Sequence, residues 1–246
     1  MIDLHNHYLP GIDDGPAEPT GSIELLEAAV DDGISHFIAT PHINPGTFDN
    51  ATVGIAGIAR EFYAQVPANL KQKITLHFAA EVRMCAELPI MLQSGDIPLL
   101  GSWNGKKVLL LEFPHSHIPV GAEQLIDWLL ANGILPMIAH PERNRDIWKK
   151  PAKLTPFVKR GCLFQITAGS ITGDFGELAQ QRGFELIKQN IATVVASDSH
   201  SVKRRPPRMT SASNLITEHL GDSVAEKLFR LNPARILEGN THAMAD

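Results

Sequence analysis

ILPMIAH, residues 134–140, decides how the rest of the chain reads. Six apolar residues run without a break and end on a histidine. A strand with one buried face alternates apolar and polar side chains, whereas a parallel strand covered on both faces is apolar throughout. The second pattern is the one present. Just upstream, AEQLIDWLLANG (122–133) has helical spacing and stops at Asn132-Gly133, a pair suited to ending a helix. Together they form a helix feeding a buried strand.

The same unit recurs on either side. Strands are expected at MIDL (1–4), HFIAT (36–40), ITLHFAAEV (74–82), KVLLLEF (107–113), CLFQITA (162–168) and TVVASD (193–198). SIELLEAAVDDG (22–33) puts Leu25, Leu26, Ala29 and Val30 on one stripe, with Thr20 or Ser22 as N-cap and Gly33 as terminator. FGELAQQRGFELIKQN (175–190) repeats the design. The tail from Ser211 to Gly239 reads as two or three helices, with 233–238 closing the structure. Alternating strand and helix implies an α/β fold with a parallel sheet, and seven such repeats can close into a barrel related to the (β/α)8 form. No internal sequence duplication is evident. The Pro/Gly loops near 44–47 and 94–101 do not resemble linkers, so one domain over 1–246 is expected.

Composition narrows the function. Apolar residues make up 43% and charged residues 20%, enough for a sizeable core. A formal charge of −5 argues against a general nucleic-acid or membrane-surface binder. Asp3 and His5 interrupt the N-terminus at once and there is no 18-residue apolar run, so a soluble cytoplasmic protein without membrane insertion is expected. Of the two cysteines, neither begins a Cys-x5-Arg phosphate loop, because Met91 and Ala168 stand where the arginine would be. Cys85 and Cys162 read as small buried hydrophobes.

In parallel α/β folds the active site gathers at the C-terminal ends of the strands. Those ends carry His5-Asn6-His7, His42, Glu81, Glu112, His140 and Asp198-Ser199-His200, while the run ending near Thr167 lacks an obvious ligand. One buried histidine or carboxylate is ordinarily a satisfied core group. Six of seven strand ends with metal-ligand chemistry form a collective signal. With Asp14 from the following Gly/Pro turn there are nine candidates: His5, His7, Asp14, His42, Glu81, Glu112, His140, Asp198 and His200. Nitrogen and oxygen donors without sulfur suit Mn, Fe, Zn or Mg, and nine residues exceed what one cation needs. The four carboxylates carry about −4, so three divalent ions would leave the cluster at about +2 and attractive to phosphate, whereas two would leave it near zero.

DLHNH (3–7), DDG (13–15), TPH (40–42), AAE (79–81), LEF (111–113), IAHPER (138–143) and ASDSH (196–200), in this order, resemble the polymerase-and-histidinol-phosphatase (PHP) superfamily. HNHYLPGIDDGP (5–16), TPH and the late RPP (205–207) resemble its bacterial protein tyrosine phosphatases, which work beside capsule and exopolysaccharide tyrosine kinases. The similarity runs from residue 2 to about 240. It implies a distorted (β/α)7 TIM-like barrel of the PHP type with a trinuclear centre, usually manganese-activated. By position, His5, His7, Glu81 and Asp198 resemble the ligands of one ion, Glu81, Glu112 and His140 those of a second, and Asp14, His42 and His200 those of a third, with Asp13 competing for the role of Asp14. Arg143 and Arg205 match the family's phosphate-binding positions, and with His42 and Asp198 complete the expected catalytic set. The implied partner is a phosphotyrosine-containing protein, a bacterial tyrosine kinase with an autophosphorylated tail.

Water activated by the cations is the expected nucleophile, so no phosphoenzyme is required. A phenolate leaving group, with a pKa of about 10, needs little help from a general acid. His42 or His200 could assist with protons, although both look committed to metal. Lys203, Arg204, Arg205 and Arg208 form a basic run that either steers an acidic phosphopeptide or is simply solvated. Arg204 and Arg145 are less favoured phosphate contacts than their neighbours. His115 and His117 border the groove or lie idle, and Phe48 and Tyr8 stack on the substrate ring or pack in the core. Trp103, Trp128 and Trp148 are expected in packing, and His36, His77, His219 and His242 outside the site. Three alternatives share parts of this pattern: a histidinol-phosphatase-like enzyme, a PHP nuclease and a non-catalytic metal-binding scaffold.

Overall fold

A computed structural model describes residues 1–244, so the last two residues of the domain expected over 1–246 lie outside it. The strands are β1 (Ile2–Asn6), β2 (His36–Ala39), β3 (His42–Ile43), β4 (Thr75–Phe78), β5 (Glu81–Arg83), β6 (Gly101–Trp103), β7 (Lys106–Glu112), β8 (Ile134–Ala139), β9 (Leu163–Thr167) and β10 (Val194–Ala196). They make two mixed-length parallel sheets, ordered β1-β2-β4 and β10-β9-β8-β7-β5-β3, with β6 antiparallel on β7. Helices fill the connections, giving an α/β fold.

All six residues of β8 are buried, between β7 on one side and β9 on the other. Its alternate side chains enter two different cores, which is why the run is apolar throughout. Leu135, Met137 and Ala139 join Leu4, Ile38, Val108, Leu110, Leu163 and Val194 from five other strands in an inner cluster. Ile134 and Ile138 face the outer core with the helices. The helix Ala122–Ala131 buries Ala122, Ile126 and Leu129, one stripe at steps of four and three, and packs on β8.

Two local expectations are corrected. The helix Pro19–Asp31 has Glu18 at its N-cap, with no side-chain cap bond from Thr20 or Ser22. Pro19 takes the first turn, where its missing N–H is not needed, and Ser22 is buried on the core face. The run 74–82 is not one strand but β4 and β5, which belong to different sheets. The neighbouring β2 breaks at Thr40-Pro41 before β3, and Pro41 cannot donate to a ladder. Both neighbours step across together: Ala79 N–H donates to Ala39 O (2.7 Å), and the pairing resumes at His42 opposite Glu81. That step delivers two candidate donors to one level.

At the opposite edge, Asp198 N–H donates to His5 O (2.7 Å) and His7 N–H to Ser199 O (2.8 Å). The ends of β1 and β10 are thereby tied side by side. No helix among the described residues is long and apolar enough to cross a membrane.

Candidate metal centre

All nine candidate donors meet where these strands end. His5 Nε2 lies 3.2 Å from Glu81 Oε2 and 3.5 Å from Asp198 Oδ1, and His7 Nε2 lies 3.6 and 3.4 Å from the same two atoms. Glu81 Oε1 lies 2.9 Å from His140 Nε2, and Glu112 Oε1 is 3.9 Å from that nitrogen. Asp14 Oδ1 sits 3.2 Å from His200 Nε2 and 3.4 Å from His42 Nε2, while His42 Nδ1 is 3.1 Å from Glu81 Oε2. Three of the four compact donor groups are His5-His7-Glu81, His42-Glu81-Glu112 and His7-Asp14-His42-His200, so Glu81, His7 and His42 are shared between adjacent groups. The fourth adds His115 to Glu112 and His140; its ring stacks on His140 at 5.1 Å.

The donor set fits divalent cations on three independent grounds. First, the far nitrogens of three histidines are occupied. His5 Nδ1 donates to Gln165 Oε1 (2.9 Å), His7 Nδ1 to Asp13 Oδ2 (2.6 Å) and His200 Nδ1 to Asp198 O (3.0 Å). With the far nitrogens so held, each Nε2 points into the cluster, the arrangement in which imidazole binds metal. The carboxylates around His5 and His7 outweigh burial and favour a proton there, which a bound cation would displace. Second, Glu112 Oε2 is buried without an aligned hydrogen bond, although Arg83 Nε forms an ion pair with it at 2.9 Å. Burial and then the charge of Glu81 push the Glu112 carboxyl up to about 8, a cost that a nearby cation removes. Third, His140 and Asp198 have φ of 32° and 53°. Non-glycine residues in this region are strained, and such strain concentrates at functional sites.

Charge separates the donors. Burial acts to raise Glu81 and Asp198, but is outweighed: the histidines hold Glu81 well below the usual carboxylate range, and Arg205 with His5 does the same for Asp198. Burial, then the Arg143 charge, takes His140 down to about 3 and His115 to about 4, so both imidazoles are neutral and free to donate a lone pair.

Asp198 divides its two oxygens. Oδ1 faces His5 and His7, while Oδ2 is ion-paired with both Arg143 Nη1 and Arg205 Nη2. The turn that carries Arg143 is pinned by Glu142, whose Oε1 accepts from Thr167 N–H (2.9 Å) and Ser170 Oγ (2.7 Å). The resulting cleft, about 250 Å³, is bordered by Arg83, Arg143, Arg205, His115 and Phe48. Larger hollows of about 420 and 460 Å³ elsewhere hold no histidine, so chemistry rather than size selects the site.

Other expected positions sort clearly. Asp13 does not share the role of Asp14: it orients His7 and also accepts from His42 N–H (3.1 Å). Phe48 lines the cleft and stacks on His42 at 5.5 Å. Tyr8 does not reach the mouth. It is fully buried, stacks on Phe37 at 5.1 Å and donates its hydroxyl to His77 O at 2.9 Å. His117 bonds Ser116 Oγ and is exposed. Arg208 faces Asp174 at 3.9 Å, and Lys203 and Arg204 are exposed. Arg83, Gln165 and Phe175 went unread: a strand arginine, a strand glutamine and a loop phenylalanine carry no motif of their own.

Parallel strands that bring histidine and carboxylate donors to one arginine-bordered cleft define an α/β metalloenzyme. The chain belongs to the capsular polysaccharide synthesis CpsB/CapC family, which it matches over residues 1–238. It is 38% identical to the tyrosine-protein phosphatase YwqE of Bacillus subtilis over 226 residues, covering 91% of this chain and 87% of that one. Identity to the tyrosine-protein phosphatase CpsB of Streptococcus pneumoniae is 28%, over 96% of this chain and 98% of that one. A crystal structure from work on YwqE and CpsB, described as unique metal-dependent tyrosine phosphatases, aligns with a TM-score of 0.88 and 35% identity over 98% of this chain and 96% of the other. An organophosphorus hydrolase from Deinococcus radiodurans shares the fold alone, at TM-score 0.54 and 14% identity over 95% and 91% of the two chains.

Proposed function

We propose that this chain is a metal-dependent protein tyrosine phosphatase that removes phosphate from an autophosphorylated bacterial tyrosine kinase controlling capsule or exopolysaccharide synthesis. The observation that carries the reading is Asp198, whose one oxygen faces His5 and His7 while the other holds Arg143 and Arg205. Cation donors and phosphate-binding guanidiniums therefore share one anchor.

His5, His7, Glu81 and Asp198 would hold one ion, Glu81, Glu112 and His140 a second, and Asp14, His42 and His200 a third, with manganese the preferred metal. Divalent ions bound there supply an acidified water and neutralise phosphoryl oxygens. The chain's own groups do the rest. Arg143 and Arg205 orient the phosphate through bidentate contacts. Asp13, Gln165 and the Asp198 carbonyl keep the histidines in the donor tautomer. His42 and Asp198 border the reacting phosphate, and Phe48 beside His42 presents a flat face to a phenyl ring.

The same reading extends to the architecture. The inner cluster draws on β1, β2, β7, β8, β9 and β10, and β1 is tied to the end of β10, which supports one distorted (β/α)7 barrel acting as a single domain. For location we propose the cytoplasm, where the phosphorylated tail of a kinase would be met.

The test is turnover of matched phosphotyrosine and phosphoserine peptides and of histidinol phosphate, each in manganese and in EDTA. Manganese-dependent turnover strongest on phosphotyrosine is expected. Preference for histidinol phosphate would move the chain to the small-molecule branch, and no turnover with metal bound would leave a scaffold.

A further inference from the structure

β9 brings no donor to the cluster at Thr167, yet the loop that follows it reaches the site in another way. Arg143 Cζ lies 4.2 Å from the centroid of the Phe175 ring, and Arg205 Cζ lies 5.6 Å from the same centroid. Two guanidiniums therefore share one aromatic ring, just as they share one carboxylate oxygen. A single Asp198 charge does not balance two cations, and the negative face of a ring supplies further attraction to both within about 6 Å.

The loop is shaped to keep the ring there. A Cβ built on Gly169 would lie 2.8 Å from Phe175 Cε2 and 3.3 Å from Cδ2, so only glycine admits the ring at this distance. Asp174 N–H donates to Gly169 O at 2.8 Å and closes the turn immediately before Phe175.

We infer that Phe175 is a positioning residue for phosphate recognition: its ring holds Arg143 and Arg205 side by side so that their remaining N–H groups face one phosphoryl group. This rests on the phosphatase reading and adds to it a determinant outside the donor motifs. The ring makes no bond to substrate. It lowers the cost of ordering two long cationic side chains before phosphate arrives.

The test uses manganese-loaded full-length protein and three readouts: the dissociation constant of inorganic phosphate by calorimetry, KM and kcat on a phosphotyrosine peptide, and bound manganese. Phe175→Leu, close in volume but without a π face, is expected to weaken phosphate binding about five- to thirtyfold. KM rises by a similar factor, kcat changes less, and manganese content stays at the wild-type level. Phe175→Tyr keeps the ring and is expected to restore wild-type values. In an Arg143→Lys background the Phe175→Leu effect shrinks, because one of the two cations no longer presents a planar guanidinium. Wild-type phosphate affinity in Phe175→Leu overturns the inference. So does an equal loss in Phe175→Tyr, which would make the position one of packing alone. Should wild-type protein itself neither bind phosphate nor turn over phosphotyrosine, the phosphatase reading fails first and this inference with it.

Discussion

His7 turns its Nε2 toward Glu81 and Asp198 because Asp13 holds its Nδ1 at 2.6 Å. Asp13→Asn, which can present its amide nitrogen in place of the acceptor, should lower manganese affinity about 10- to 100-fold. Activity should return at high manganese, and a titration of activity against manganese checks this; an unshifted midpoint would remove Asp13 from the support shell. Arg143→Ala and Arg205→Ala should each reduce kcat/KM on phosphotyrosine by about 10²- to 10³-fold, by analogy with loss of one preorganised oxyanion donor. Because both arginines share Asp198 Oδ2, the double variant should lose less than the product of the two single losses. At this scale much of the site was legible in the sequence. Most donors end a strand or follow one, while His42 and Glu81 open β3 and β5 just past the break in an apolar run, and polar groups at the edges of apolar runs are conspicuous. Gln165 and Phe175 were not, since their roles depend on what the fold sets beside them.

The strands were readable for a physical reason that also marks where reading stops. β8 and the Val108–Leu111 stretch of β7 face cores on both sides, so they are apolar without alternation, whereas β9 turns Gln165 and Thr167 inward, alternating with Phe164 and Ile166. The helix Thr52–Gln65 was missed although Ile55, Ala59 and Phe62 make a buried stripe, because Gly54 and Gly57 dilute the helical signal. β6 has three residues, too few to display a period. It nevertheless seats the C-terminal helix: Gly101 has φ of 151°, and a Cβ there would lie 2.0 Å from Ile236 O. Gly101→Ala should therefore destabilise the fold by about 2 kcal/mol or more, as overpacking and backbone strain combine. Denaturant unfolding with an unchanged slope would show it, and a midpoint equal to wild type would refute the contact. Cys162, just before β9, probes the outer core instead. Burial pushes its thiol up to about 12 from an ordinary 9.0. The native state thus keeps the thiol protonated, and the associated stability is present below about pH 9 and lost as pH rises toward 12. At pH 8 Cys162 should resist iodoacetamide in native protein and react once unfolded, read by mass spectrometry; rapid native labelling would contradict the packing.

The chain carries a net charge of −5, and its donor cluster concentrates the four carboxylates of Asp14, Glu81, Glu112 and Asp198 among imidazoles and beside three arginines. Without cations these groups must balance one another, and Glu112 is the one left poorly matched. Metal should accordingly stabilise the whole fold, because the donors come from both sheets and from the tie between β1 and β10. Manganese at about 100 times its dissociation constant adds roughly 2.7 kcal/mol per site. For a chain of this size that is a rise in Tm of about 5 to 10 °C per site, and calorimetric scans in manganese and in EDTA would detect it. Equal Tm values would detach the donor cluster from metal binding. The most direct measurement of the central claim is steady-state hydrolysis of a phosphotyrosine peptide by wild-type protein, first as purified, then after EDTA stripping, then on return of manganese. Loss of turnover on stripping and its recovery with manganese are predicted. Turnover that survives complete removal of metal, or that manganese never evokes, would contradict the account.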